Sequence, residues 1–486
     1  MQNTKKTMAL CLLVAMLATQ AVGCGSGTDE TKETSGSADT PAVTETETET
    51  EKQPYVPTTN YDNAEVHILT PKSTTALIYL FADEENGDKL NDGVYQRNLM
   101  TEEWLGIDLT WEAECEITDL AGLVQKAVLA GDDSYQIVLA DSMRGNTAMV
   151  SGGMLLDMNT VESLDFSHEY WNTSALNELT IDGKTYFAKS AYTLPSAAVV
   201  VFNKEMVLDM SLDYPYDMVR EGTWTLDVFA GMVEQGVADV NGDGKMTIDD
   251  QYGLTCMQDY PLDCFIYACG QTLVKLNEEG RMEVALYNDD SVAMYEKLYK
   301  LLNEGDKAFM WGWGAAEDKQ LNMKSGRTLF ELCRTDGLNT LRDCDLNYGI
   351  VPYPKLNEAQ ENYSINDYSR LLCIPVTVAA PEMVGQTCEM LGYYSEEYVY
   401  PAYYGSLLEG KVARDEDTIE MLDLIFDSVI YDGGMSYFGL NGGGMQSLLY
   451  YVSTKVANGD NNFASYYVTN AEKAQKEIDT FYESIE

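Results

Sequence analysis

Six positions in one twelve-residue stretch could hold a hard cation: Asp239, Asn241, Asp243, Lys245, Thr247 and Asp250. Asp239, Asn241 and Asp243 stand at positions one, three and five and offer side-chain oxygens. Gly244 at position six permits the turn. Lys245 at seven offers its carbonyl, Thr247 stands at nine and Asp250 at twelve. This is the EF-hand spacing, which wraps a chain around one calcium ion through about six to eight oxygens. Asp250 is shorter than the usual glutamate and shortens the bidentate reach. The expected role is structural. The alternative is an Asn/Asp/Gly surface turn without an ion.

Other chemistry is poorly supplied. Neither a G-x-S-x-G elbow nor an H-E-x-x-H pair occurs. The chain has two histidines, His67 and His168, and no C-x-x-C pair. A zinc site is therefore not expected. Carboxylate pairs abound in so acidic a chain, so they argue little for a glycosidase. Gly442-Gly443-Gly444 lacks a following Lys and Ser/Thr and reads as a turn. Aromatic side chains are plentiful, with 33 tyrosines. Trp311 and Trp313, Tyr403, and Tyr437 lie in glycine-flanked aromatic clusters whose faces could stack on sugar rings. The alternative for each is a place in the core. Asp141, Ser142 and Arg144 follow an expected strand, where open α/β sheets bind ligands. Asp367 and Tyr368 precede another strand and are expected contacts too.

These residues need elements to place them. Residues 64–70, 107–111 and 135–140 read as strands, with helices at 93–105 and 120–129 between them. This alternation predicts an α/β lobe with a largely parallel sheet. Further strands are expected at 197–202, 328–332 and 348–351. Val292, Tyr295, Leu298, Tyr299 and Leu302 share one helix face. Ala471, Ala474, Ile478 and Phe481 share another, behind an expected cap at Asn470.

The N-terminus has a basic head at Lys5 and Lys6, an apolar run over 8–18, then Ala21-Val22-Gly23-Cys24. This describes a secretory signal and resembles the bacterial lipobox, with Ala21 where leucine is usual. Cys24 is the expected lipidation site, and residues 1–24 the signal peptide. Residues 25–61 form an acidic Thr/Glu-rich stretch with almost no large apolar residue. It is expected to be a disordered tether, reaching roughly 30–35 Å.

The formal net charge is −48. Such a surface repels nucleic acid and anionic lipid. No second long apolar run follows the signal, so the expected membrane contact is the lipid alone. Eight cysteines remain beyond Cys11 and Cys24. An exported location permits disulfides, and reduced buried thiols are the alternative.

Four stretches carry a family resemblance. They are Tyr135-Gln-Ile-Val-Leu-Ala-Asp-Ser142 with Gly152-Gly-Met-Leu-Leu-Asp157, Asp182-Gly-Lys-Thr-Tyr-Phe-Ala188 with Val200-Val-Phe-Asn-Lys-Glu205, Gly222-Thr-Trp-Thr-Leu-Asp-Val-Phe229, and Asn347-Tyr-Gly-Ile-Val-Pro-Tyr-Pro-Lys355 with Cys373-Ile-Pro375. In this order they resemble the family 1 extracellular solute-binding proteins, the maltose-binding type of ABC importer receptor. Phe187-Ala188-Lys189 departs from that family's Gly-x-Pro. The resemblance implies a two-lobed α/β fold of the type II periplasmic-binding-protein kind, with hinge strands between the lobes. Residues 62–192 and 350–400 would form lobe 1, and 193–349 and 401–486 lobe 2. Crossings would lie near 189–197, 346–352 and 400. It implies a monomer that captures a carbohydrate, an oligosaccharide above all, by cleft closure and passes it to permease subunits. A secreted hydrolase and a ligand sensor for a membrane kinase are the alternatives.

Overall fold

The computed structural model describes residues 54–72, 77–341, 344–409 and 415–486. Cys24, the signal segment and residues 25–53 of the tether lie outside the described residues. Two main sheets carry the architecture. In the first, the strand order is Leu371–Cys373, Ile137–Ala140, Ala64–Leu69 and Ile107–Glu112. Ala64–Leu69 alternates, with Val66 and Ile68 buried and Glu65 exposed. It pairs in parallel with Ile107–Glu112. The right-length crossover between them is the helix Lys89–Leu105. Asp88 caps its start, accepting from the Leu90 and Asn91 amides. Gly106, at φ 61°, ends it in the left-handed conformation that glycine adopts without strain. Ile137–Ala140 is buried at every residue, as suits a central strand. Its other neighbour, Leu371–Cys373, runs antiparallel.

The second sheet has the order Tyr348–Val351, Ala198–Asn203, Thr328–Arg334, Tyr252–Met257 and Ala308–Trp311. Ala198–Asn203 is buried throughout and antiparallel to both neighbours. Tyr252–Met257 is parallel to both of its own. Three strands therefore end at one edge, at Met257, Trp311 and Arg334. Around this sheet, Asn288 and Ser291 form a capping box for the helix Asp289–Asn303. That helix buries Tyr295, Leu298 and Leu302, as its periodicity predicts. Trp224 is fully buried and donates to the Pro352 carbonyl at 2.9 Å.

The chain passes from the first sheet to the second through residues 193–197. Ala197 pairs with Asp367, the Tyr368 amide donates to the Ser196 carbonyl, and the Thr335 amide donates to the Ala197 carbonyl. The return crossing is thus 367–370, not 346–352. Strand Tyr348–Val351 still pairs with Val200–Asn203 in the second sheet, so the lobe boundary expected at 350 moves to about 367. Helix Tyr400–Glu409 packs on Lys89–Leu105, so residues 401–409 stay with the first lobe. Helix Glu416–Asp427, which packs against Tyr348–Val351, belongs to the second.

Two other expectations shift. Residues 54–61 do not behave as tether. The Thr59 and Tyr61 amides donate to the Trp104 and Leu105 carbonyls, Trp104 Nε1 donates to the Val56 carbonyl, and Val56 is buried. The last helix begins at Phe463 rather than at an Asn470 cap. Asn470 sits inside it and satisfies its amide on the Tyr466 carbonyl one turn back, at 2.9 Å. Cys115, Cys256, Cys264, Cys269, Cys333, Cys373 and Cys388 are free thiols, five of them buried.

Candidate functional site

The carboxyl ends of strands from both sheets meet the crossing segments, and this junction gathers the polar and aromatic groups best placed to hold a solute. From the first sheet comes Asp141, just past Ala140. Its Oδ1 accepts from the Met143 amide at 3.0 Å and its Oδ2 from Arg370 Nη1 at 2.9 Å. Arg370 immediately precedes Leu371–Cys373, the strand beside Ile137–Ala140, so the pair closes the edge of that sheet. Burial, reinforced by Arg334 nearby, draws the Arg370 guanidinium below its ordinary value against the pull of Asp141. Ser142 is buried next to Asp141. Arg144 is half-buried, and its Nε is buried without a hydrogen-bond partner.

From the second sheet comes Arg334, the last residue of its strand. Its Nε and Nη2 each donate to Asp336 at 3.0 Å. The guanidinium lies 4.6 Å from the centre of the Tyr260 ring and 5.5 Å from that of Tyr368. Burial works against its charge, but Tyr260 and Asp336 hold its pKa above the ordinary value. The two tyrosine rings stand 5.3 Å apart, nearly edge to face. Tyr450 joins from the C-terminal helices, close enough to feel Asp259, Asp263, Asp141 and Arg144. Two lobes and a crossing strand thus supply guanidinium, carboxylate and phenol groups to one place. Such a set can donate to and accept from hydroxyls and present ring faces.

Asp367 has a different place. Its carboxylate is fully committed inside the crossing. Oδ1 accepts from the Ser196 and Ser369 amides at 2.8 and 2.9 Å, and Oδ2 accepts from Tyr431 Oη at 3.0 Å and from Ser369 Oγ. Lys189 Nζ lies 3.5 Å away and donates to Thr193 and Ser369. Burial alone would raise the Asp367 carboxyl, but Lys189 and these donors hold it below its ordinary value. The group pins the crossing. It also explains Lys189, which departs from the resembled motif.

The aromatic candidates separate. Trp311 is half-buried at its strand end, and its carbonyl accepts from the Gln258 amide at 2.7 Å. Trp313 is 76% exposed between Gly312 and Gly314, on the loop that leaves that edge. Tyr403 is buried, packed edge-on against Tyr79 at 5.8 Å. Tyr437 is fully buried and donates to the Leu179 carbonyl at 2.6 Å. These last two sit in the core. Sequence reasoning missed Tyr260, Arg334, Asp336, Arg370 and Tyr450. Arg334 and Arg370 had a signal, a guanidinium beside a strand end in an acidic chain.

Two surface hollows lie elsewhere. One is lined by Thr58, Asn63, Glu102 and Asp108, and the other by Lys204, Tyr216, Arg220 and Asp417. Both sit at strand ends remote from the crossing. Glycines 442–444 cradle a protein carboxylate, since Glu477 Oε1 accepts from the Gly444 amide at 2.6 Å.

The loop Asp239–Asp250 is closed by its own side chains. Asp239 accepts from the Gly242 and Gly244 amides at 2.7 and 2.8 Å, Asn241 from Asp243, and Asp243 from Lys245. Asp250 is buried and accepts from the Val240 and Thr247 amides at 3.0 and 2.8 Å. Among the described residues, no three His, Cys, Asp or Glu side chains gather as a metal-binding group. The donor set is all oxygen, which suits calcium, and the carboxylates here are turned to backbone amides.

No family model matches the chain, and no curated protein does. Solved structures do. An ABC substrate-binding protein of Listeria monocytogenes in complex with cycloalternan has a TM-score of 0.54 at 12% identity, covering 86% of this chain and 100% of its own. The maltose/maltodextrin-binding domain MalE of Bdellovibrio bacteriovorus bound to maltotriose has a TM-score of 0.54 at 14% identity, covering 84% and 99%. An ABC transporter solute-binding protein of Thermotoga lettingae bound with α-D-tagatose has a TM-score of 0.55 at 13% identity, covering 86% and 100%. With two sheets joined by crossing strands over nearly the whole length of these proteins, the chain has the MalE-like, two-lobed type II periplasmic-binding-protein fold.

Proposed function

We propose that the protein is the solute-binding receptor of an ABC importer, that it captures a carbohydrate between its lobes, and that it performs no catalysis. The observation that carries this is the junction itself. Asp141 and Arg144 from one lobe lie within electrostatic reach of Tyr450 from the other, and Asp141 accepts from Arg370 on the crossing strand that also bears Tyr368. A receptor of this kind needs a ligand that favours the closed over the open state, and only contacts drawn from both lobes supply that difference. Guanidinium and carboxylate groups beside tyrosine faces suit a saccharide's hydroxyls and C–H surfaces. The fold shared with structures bound to cycloalternan and maltotriose supports an oligosaccharide.

Cys24 is the proposed lipid anchor on the outer face of the cell membrane, with residues 25–53 as its spacer. Permease subunits are the proposed partners, and the receptor acts as a monomer. The loop Asp239–Asp250 is proposed to hold one structural calcium ion. Calorimetry with a panel of oligosaccharides, followed by small-angle scattering of free and loaded protein, tests the receptor reading. Saturable heat with a decrease in radius of gyration is expected. Turnover of a glycan by the purified protein would overturn it in favour of a hydrolase.

A further inference from the structure

The chain carries 79 acidic against 31 basic side chains, yet three of its nine arginines, Arg144, Arg334 and Arg370, stand at the interlobe crossing. Two are answered from within the protein, Arg370 by Asp141 at 2.9 Å and Arg334 by Asp336 at 3.0 Å. Arg144 is not. It makes no ion pair among the described residues, and its Nε is buried without a partner. A guanidinium presents five donors in a planar fork and does not shed its charge, so a buried donor left unmade is costly.

The acids that act on Tyr450 together with Arg144 are engaged elsewhere. Asp141 is spent on Arg370 and the Met143 amide. Asp263 is buried and accepts from the Ser453 amide and hydroxyl at 3.1 and 2.6 Å, and burial holds its carboxyl well above the usual range. Asp259 caps the short helix Tyr260–Asp263 through the Tyr260 amide, and burial raises it too. Arg144 is therefore left without an ion-pair partner among the described residues and with a buried donor unmade, in a chain of net charge −48.

We propose that the solute is an acidic saccharide whose carboxylate is received by Arg144. This rests on the receptor reading and names its substrate class. A carboxylate matches the guanidinium fork with two charge-assisted bonds, which a sugar hydroxyl does not. Arg334 and Arg370 add positive potential behind it. Tyr450, within electrostatic reach of Arg144, is the aromatic group placed to meet the ring that bears the acid.

The test is calorimetric titration of the purified protein with uronic-acid oligosaccharides and with their carboxyl-reduced, neutral counterparts of the same linkage. The acidic member of a pair is expected to bind about tenfold to a hundredfold tighter. Arg144→Gln is expected to cost the acidic member of a pair at least about tenfold more affinity than the neutral member, bringing the two together. Arg144→Lys, which keeps the charge and loses the fork, retains part of the preference and carries the test should the glutamine variant melt early. Equal affinity within the pairs, or an Arg144→Gln loss of the same size in both members, would overturn the acidic class and leave the receptor standing. Absence of heat with either class would remove both.

Discussion

The perturbation with the most to say about this fold is Lys189→Met. Lys189 and Asp367 form a buried ion pair, with side chains 4% and 1% exposed, where the two lobes are joined. Methionine keeps the length of the stem and deletes the ammonium. Removing one partner of a buried pair strands the other charge, at a cost of about 3–5 kcal/mol. Here Asp367 keeps two amide donors and Tyr431 Oη, which soften the loss. The lower figure, about 3 kcal/mol at neutral pH, is therefore expected. The pH dependence has a definite sign. The folded Asp367 carboxyl is depressed, so its contribution is fully present above the unfolded value of about 3.9 and is lost as pH falls through the folded one. In the variant, burial prevails and the carboxyl titrates higher, so the gap between variant and parent narrows as pH falls. Urea denaturation of both proteins across that range measures it. The double variant Lys189→Met, Asp367→Asn removes the stranded charge and is expected to recover at least half of the loss. A single-variant cost below about 1 kcal/mol, or a double variant no more stable than the single one, would refute the reasoning.

Three further outcomes are expected. Calcium at about ten times its dissociation constant stabilises a folded protein by about 1.4 kcal/mol, so chelator-treated protein should melt higher when calcium is restored and Asp239→Ala should not; equal melting with and without the ion would leave the loop a plain turn. Mass spectrometry of the mature N-terminus is expected to find a diacylated Cys24, and Cys24→Ser to release the protein from cells; a free terminus elsewhere removes the anchor. Tyr437→Phe deletes the 2.6 Å bond to the Leu179 carbonyl and is expected to lower stability by about 1–2 kcal/mol with solute affinity unchanged; lowered affinity at full stability would make Tyr437 a contact instead.

The strands were legible because their cause is local. Alternation and β-branching place 64–69, 107–112, 328–334 and 348–351 within about two residues of their true ends. The start of the last helix was not, because asparagine caps helices and also tolerates their interior when its amide finds a carbonyl one turn back, as Asn470 does. That Asp141 and Arg144 follow the carboxyl end of a strand was legible from the buried run before them. Arg334 and Arg370 each stand beside a strand end, but their meeting was not legible, since 36 positions separate them and only the crossing brings them together. The aromatics divide for a similar reason. Tyr403 and Tyr437 have the same composition around them as Trp313, and only tertiary burial tells core from surface.

The misplaced crossing is the more instructive miss. Tyr348–Val351 is apolar and buried, so it has every local reason to be a strand of one sheet and none to be a passage between two. The true passage, Asn366-Asp367-Tyr368-Ser369-Arg370, is polar and yet largely buried. Such a segment survives burial when its charged groups find partners, and those of Asp367 and Arg370 come from far along the chain: Lys189 and Ser196, Tyr431, and Asp141. Those same bonds, with the Ala197–Asp367 pairing, fix the register of the two crossing strands. The polar run is thus what joins the two sheets, and on the proposed reading Arg144, with a buried donor left over, is what the protein offers a solute.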